Sequence, residues 1–225
     1  MSHRLAIVGY GKMGRLIEQL APQYDFEVAA RHDIDRHEPL DNCDVAVEFS
    51  VPPAVPANVE MLAGKGIPVV IGTTGWLSEL DRVRAAVERH GTAAVWSPNY
   101  SVGVNVFFRL AAEAARLLAG EDEYGAWAWE IHHSTKKDAP SGTLLKLVEA
   151  MKSGGYARPI DVSSNRAGAH PGTHEIGFDS AADTIVLRHT ARSREGFARG
   201  ALKAARWVIG KKGFHEFSDV LFGRD

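Results

Sequence analysis

Between Glu130 and Leu147 the chain reads EIHHSTKKDAPSGTLLKL: two adjacent histidines, two adjacent lysines, an aspartate and a proline-primed Ser-Gly-Thr within eighteen residues. Leu144, Leu145, Leu147, Val148 and Met151 follow at helical spacing, so a helix is predicted from about Gly142 to Lys152. Its unpaired N–H groups would point back at the histidines and lysines, and such an end favours an anion. With an ammonium and imidazole donors beside it, the basin suits carboxylates, and more than one of them. Histidine titrates near neutral pH and can deliver a proton, and a nearby lysine can stabilise developing negative charge or share in the transfer. Without that downstream helix, a His-His pair is commonly incidental and a Lys-Lys pair is a solvated face.

A second set of residues lies at the start of the chain. Gly9, Tyr10, Gly11, Lys12, Met13 and Gly14 form a Gly-x-Gly-x-x-Gly turn directly after an apolar run and ahead of a helical one. In that context the first glycine permits the turn, the second lets a pyrophosphate approach the backbone, and the third lets helix and strand pack closely. The end of the next strand normally separates the two nicotinamide cofactors, an acid binding the ribose diol and an arginine accommodating a 2'-phosphate. Arg31 and Asp33 both occur there, so NADH and NADPH both stay open. Gly72, Thr73 and Thr74 follow a fourth apolar run, and Ser97, Pro98, Asn99 and Tyr100 a fifth; both turns are expected along the nicotinamide half of the cofactor. A nicotinamide next to a carboxylate basin suggests hydride delivery to a carboxylated, electron-poor substrate, followed by protonation.

The elements that must position these residues alternate in type. Strands are expected at Arg4–Val8, Phe26–Ala30, Val45–Phe49, Val69–Gly72 and Ala93–Ser97, with helices at Met13–Leu20, Ala54–Ala63 and Leu77–Arg89. That is a Rossmann-type α/β unit with five parallel strands. After Pro98 the texture becomes α+β, with a helix from about Asn105 to Leu118 and a strand at Ala126–His133. Further strands are expected near Ile160–Ser163, His174–Phe178 and Thr184–His189, with a last helix that begins after Ser193 and runs to Gly210. The expected division is a dinucleotide-binding domain of residues 1–100 and about 198–225, and a smaller mixed-sheet substrate and oligomerisation domain of about 101–197.

Composition narrows the function classes. Of 225 residues 45% are hydrophobic, enough for one or two packed cores, and 26 basic against 28 acidic residues leave a formal charge of -2, not the basic field that nucleic acid binding uses. Cys43 is the only cysteine, so neither an internal disulfide nor a zinc cluster is expected and a cytoplasmic, reducing compartment fits. No apolar run reaches the length of roughly twenty residues that a bilayer demands, and no metal, nucleic acid or membrane partner is expected.

The pattern Glu130-Ile-His-His-x-x-Lys136-x-Asp138-Ala-Pro-Ser-Gly-Thr143 resembles the signature of the 4-hydroxy-tetrahydrodipicolinate (dihydrodipicolinate) reductase family of diaminopimelate and lysine biosynthesis. Gly-Tyr-Gly-Lys-Met-Gly, Glu48-Phe-Ser, Gly72-Thr-Thr-Gly-Trp76, Ser97-Pro-Asn-Tyr-Ser-Val-Gly-Val-Asn105 and Phe197-Ala-x-Gly-Ala-Leu extend the resemblance over nearly the whole chain. The resemblance implies that His132 is the proton donor, assisted by Lys136, and that His133, Lys136, Ser141, Gly142 and Thr143 hold the substrate carboxylates. It implies NADH or NADPH along Gly9–Gly14, Gly72–Thr74 and Ser97–Tyr100, a final helix and tail folded back on the cofactor domain, and a homotetramer built through substrate-domain sheets.

The chain departs from the family pattern in a short segment between Asp33 and Cys43, in Tyr100 where Phe is common, and in Leu144 where a small residue usually follows the Thr. An aspartate-dehydrogenase-like enzyme of the same two-domain plan would explain the glycine turn but give the paired histidines and Asp-Ala-Pro-Ser-Gly-Thr no task. A cofactor-sensing protein without turnover would be expected to lose His132 or Lys136.

Overall fold

The computed structural model describes residues 2–223. The chain forms two compact units, Met1–Val102 with Glu195–Asp225, and Gly103–Arg194. In the first, β1 (His3–Val8), β2 (Phe26–Asp33), β4 (Val45–Glu48), β5 (Val69–Ile71) and β6 (Ala93–Trp96) are parallel strands, and Leu5 to Val8 of β1, β4, β5 and the first three residues of β6 are buried. Strands buried on both faces need helices on both sides, and α1 (Lys12–Leu20), α2 (Val55–Gly64), α3 (Leu80–Arg89) and α6 (Glu195–Val208) supply them. One core collects Leu5, Ile7, Val45, Val47 and Val70 with α1 and α6, the other Ala6, Val8, Val69 and Ile71 with α2 and α3.

The expectation of five strands is corrected to seven. The sheet runs β11-β6-β5-β4-β1-β2-β3, where β3 (Arg36–His37) pairs antiparallel with β2 and β11 (Gly213–Glu216) pairs parallel with β6. Neither added strand has an apolar run of its own; both exist because an edge strand offers unpaired N–H and C=O groups. A short α7 (Phe217–Phe222), begun by a capping box between Glu216 and Asp219, was also not expected, and it buries Phe217 against Tyr100 with ring centroids 4.9 Å apart. Ala54 and Leu77–Glu79, expected within α-helices, belong to the 3-10 turns Pro52–Ala54 and Leu77–Glu79 that enter α2 and α3. β1 lies between β2 and β4, so the strand order reverses there, and the crevice outside the carboxyl ends of β1 and β4 is the site that this topology provides.

The second unit has a four-stranded mixed sheet, β10-β9-β7-β8, from β7 (Gly125–His132), β8 (Ile160–Arg166), β9 (Thr173–Asp179) and β10 (Thr184–Thr190). Helices α4 (Val102–Leu118) and α5 (Gly142–Ser153) cover one face, where Phe107, Ala111, Leu144, Leu147 and Met151 pack on Ala126, Ala128, Ile176 and Phe178. Alternation along β7 puts Ala126, Ala128, Glu130 and His132 on that same inner face. The register then sets Glu130 opposite His174 on β9 and opposite Ser164 on β8, with His132 opposite Arg166. A slip of one residue would send these side chains to the other face.

α6 packs closely because its buried positions are mostly small: Ala198, Gly200, Ala201, Ala204 and Ala205. A Cβ at Gly200 would overlap the Tyr100 carbonyl. Gly200→Ala is therefore expected to destabilise the protein by about 1–3 kcal/mol, read as a lowered urea midpoint at unchanged slope.

Candidate active site

In the second unit the centre of the site is Glu130, whose side chain is fully buried. Its Oε1 accepts hydrogen bonds from the Ser141 N–H at 2.8 Å, Ser164 Oγ at 3.1 Å and Arg166 Nη2 at 2.7 Å, and its Oε2 accepts from the Ser141 hydroxyl. Burial alone would push this carboxyl up, but those donors outweigh it and hold its pKa down to about 2. An ionised carboxylate thus sits in the core. His132 Nε2 and His174 Nε2 each lie 3.3 Å from Oε2, and 3.3 Å from one another. The two rings meet edge to face with centroids 5.0 Å apart. Burial lowers the His132 pKa, opposed by the Glu130 charge and reinforced by Lys136 and Arg166. His174, only 5% exposed, is lowered to about 4, chiefly by burial, so it is neutral at ordinary pH. Glu130, His132 and His174 offer three potential metal-ligand atoms within 4.8 Å of one another, each already inside this hydrogen-bonded cluster.

The loop after β7 carries the other expected residues. His133 Nδ1 contacts Thr135 Oγ1 at 2.7 Å. Lys136 Nζ lies 2.7 and 2.9 Å from the two oxygens of Asp138. That ion pair is the main reason the Asp138 pKa is lowered, and a hydrogen bond from the Gly142 main chain adds to it. The Asp138 carboxylate therefore lies on an ammonium and on an N–H of the first turn of α5, so the chain itself occupies part of the anion basin. Gly142 is exposed with open space where a Cβ would be, and Thr143 is half-buried.

Ser141 departs from expectation. Expected among the carboxylate-binding residues, it is 2% exposed, and its hydroxyl accepts the Leu144 N–H as N-cap of α5 while donating to Glu130. Its donors and acceptor are used internally.

In the first unit the glycine turn has the shape a pyrophosphate needs. Gly9 has φ 88°, and a Cβ there would strike the Phe49 carbonyl; one at Gly14 would strike the Gly9 carbonyl. Gly11, the N-cap of α1, has open space around it and no side chain capping the helix N–H groups. Lys12 is exposed and Met13 packs on the core. Beside the turn, a cavity of about 360 Å³ is lined by Gly9, Gly11, Asp33, His37, Phe49 and Asn58 among others. Asp33 accepts the Tyr10 N–H at 2.8 Å, which ties the turn to the end of β2. Thr73 Oγ1 is buried without a hydrogen-bond partner, Gly72 is held against the Phe49 ring, and Thr74 is exposed. These residues fit a nicotinamide dinucleotide.

Two expected cofactor residues are otherwise engaged. Arg31 is paired with Glu18 and Glu38, and Glu18 is held below the usual carboxylate range chiefly by that hydrogen bond. Tyr100 is 3% exposed, and its hydroxyl lies 3.0 and 2.9 Å from the Ile71 and Val95 carbonyls, so its ring belongs to the core. Ser97 and Asn99 close the turn before it through the Asn99 N–H to Ser97 Oγ bond at 3.1 Å, and Pro98 is exposed.

Comparison with known proteins agrees with the geometry. The family model described as dihydrodipicolinate reductase, N-terminus, matches residues 3–100, and the C-terminus model matches residues 103–221. The chain belongs to the dihydrodipicolinate reductase family. It is 37% identical over 231 aligned positions, covering 96% of this chain and 97% of the relative, to the 4-hydroxy-tetrahydrodipicolinate reductase of Christiangramia forsetii. A solved dihydrodipicolinate reductase with dipicolinate bound, from Paenisporosarcina sp. TG-14, has the same fold at TM-score 0.82 and 20% identity, covering 98% of this chain and 100% of that one. The aspartate dehydrogenase of Thermotoga maritima shares the fold more loosely, with TM-score 0.54 and 12% identity over 94% of this chain and 98% of that one. Family membership makes this chain an NAD(P)H-dependent oxidoreductase of lysine and diaminopimelate biosynthesis.

Sequence reasoning gave no role to Glu130, Ser164, Arg166, Gly172 or His174. Glu130 carried a signal, an acid two residues before the histidine and so on the same strand face; the others are brought in only by strand register.

The buried neutral His174 has a measurable consequence. Its folded pKa of about 4 lies below the ordinary 6.5, so the unfolded chain binds the extra proton and stability is lost as pH falls from 6.5 towards 4. The difference is worth about 3 kcal/mol at most. His174→Gln is expected to show a shallower decline of urea midpoint over that range; parallel declines would show that His174 is not the group responsible.

Proposed function

We propose that the chain reduces 4-hydroxy-tetrahydrodipicolinate to tetrahydrodipicolinate, with His132 giving the proton and Lys136 stabilising the charge that develops. The observation that carries this reading is the Asp138 carboxylate on Lys136 Nζ and the Gly142 main chain, since a substrate carboxylate can replace it there without any new chemistry. His133, Thr143 and the remaining N–H groups at the start of α5 complete the basin. These cations and dipoles favour negative charge on the substrate most when the reaction has developed it, which is the differential binding that lowers a barrier.

In the first unit, Gly9, Tyr10, Gly11, Lys12, Met13 and Gly14 would hold the pyrophosphate, Asp33 the adenosine ribose, and Gly72, Thr73, Thr74, Ser97, Pro98 and Asn99 the nicotinamide half. When bound, the reduced nicotinamide supplies the hydride. Asp33 lines the cavity as an acceptor for ribose hydroxyls, while Arg31 and Arg36 are both paired with Glu38. This supports a preference for NADH.

The same reading takes the enzyme to be a cytoplasmic homotetramer, in keeping with the lone Cys43 and with Ile185 and Val186 of β10, which are 41% and 46% exposed. Light scattering on the purified chain is expected to give the mass of four copies.

A coupled assay supplying pyruvate, aspartate semialdehyde and the pathway synthase tests the activity, with loss of NADH and NADPH absorbance followed separately. His132→Gln and Lys136→Ala are each expected to lower kcat about 100-fold or more with cofactor binding retained. Near-wild-type turnover in both would overturn the roles. The kcat/KM is expected to be about tenfold higher with NADH, equivalent to about 1.4 kcal/mol; a reversed ratio would mean that Arg31 leaves Glu18 for the 2'-phosphate.

A further inference from the structure

We infer that Glu130 and His174 are positioning residues for the proton donor: they hold Nε2 of His132 inward with its hydrogen attached, and so assign delivery of the proton to Nδ1. The inference rests on His132 being the acid.

Oε2 of Glu130 accepts the Ser141 hydroxyl, and His132 Nε2 and His174 Nε2 both lie 3.3 Å from it. An ionised carboxylate oxygen only accepts, so it favours an N–H on an imidazole nitrogen at that distance. His132 Nε2 is in that position, and the three donors on Oε1 prevent the carboxylate from turning away. His174, opposite Glu130 on β9, stands edge-on against the His132 ring at an interplanar angle of 70°, and its own Nε2 is 3.3 Å from Ser141 Oγ. Gly172 lies beside the Cε1 and Nδ1 atoms of the ring. There φ is 134°, and a Cβ would lie 2.9 Å from Cε1 and 3.0 Å from Nδ1, so any side chain at this position would cover the proposed donating nitrogen. The side chain of His132 is 12% exposed.

The proton balance is then closed. In the imidazolium both nitrogens carry hydrogen; the Nδ1–H bond breaks, its electron pair stays on Nδ1, and the proton forms the C–H bond on the substrate carbon next to the one that received hydride. Nε2–H remains on Glu130, which stays ionised, and solvent reprotonates Nδ1. The orienting aspartate of a catalytic triad acts on its histidine in the same way, by fixing the tautomer and stabilising the imidazolium. The charged or titratable groups facing His132 are Glu130 on its own strand, Arg166 on β8, His174 on β9 and Lys136 in the following loop. Glu130 alone among them favours the charged ring.

The first test is nitrogen NMR of the full-length enzyme with NADH, labelled at histidine and assigned by the signals lost in His132→Gln. The neutral His132 ring is expected to retain hydrogen on Nε2 and to titrate at Nδ1; hydrogen retained on Nδ1 would overturn the inference, and this readout needs no substitution at Glu130 or His174. The second is kinetic. Glu130→Gln is expected to lower kcat about tenfold or more at little change in the KM for NADH. Removing the charge that favours the imidazolium should also move the alkaline limb of the kcat/KM profile to lower pH. His174→Gln, which keeps an N–H, should retain more activity than His174→Leu. An inactive His132→Gln together with a wild-type profile in folded Glu130→Gln would sink this inference alone, whereas an active His132→Gln would sink the reading of His132 as the acid.

Discussion

The second unit depends on one requirement: a carboxylate that is fully buried and ionised must be surrounded by donors. Glu130 obtains them from three directions, from the Ser141 main chain and hydroxyl at the start of α5, from Ser164 and Arg166 on β8, and from imidazoles on β7 and β9. Removing a partner from a buried pair of this kind typically costs about 3–5 kcal/mol. The carboxylate therefore fixes more than itself: it selects the strand register that faces it with His174 and Ser164, and it fixes where the helix begins. Both consequences matter to the chemistry, because the first aims His132 and the second aims the positive end of α5.

That arrangement explains how the loop after β7 and the end of β8 hold cationic groups side by side without collapse onto the core. Arg166 is used up on Glu130, and Lys136 rests on Asp138, an acid that the chain keeps within two residues of it. Asp138 balances the basin until an external carboxylate takes its place. The exchange is between similar charges on similar donors, so it requires no large change in local electrostatics.

The first unit solves a different problem, close approach. Its turn is built where Cβ atoms would collide with main chain at Gly9 and Gly14 but not at Gly11, which leaves the middle glycine and the start of α1 open to a phosphate. The aspartate dehydrogenase of Thermotoga maritima shares the fold loosely, so the fold by itself does not define the reaction.

The sequence alone determined what local pattern can encode. The alternating apolar runs gave the parallel sheet and its helices, the Gly-x-Gly-x-x-Gly turn gave the cofactor end, and Asp-Ala-Pro-Ser-Gly-Thr before an apolar helix gave the anion basin. The tertiary structure decided what depends on partners distant in the chain. β3 and β11 are strands only because β2 and β6 offer them open edges. Tyr100 and Ser141 are chemically fit to meet a ligand, yet packing and capping claim them first, and Arg31 is claimed by Glu18. His174 lies 42 residues from His132, and nothing in its own neighbourhood marks it; strand pairing alone brings the two rings to one carboxylate.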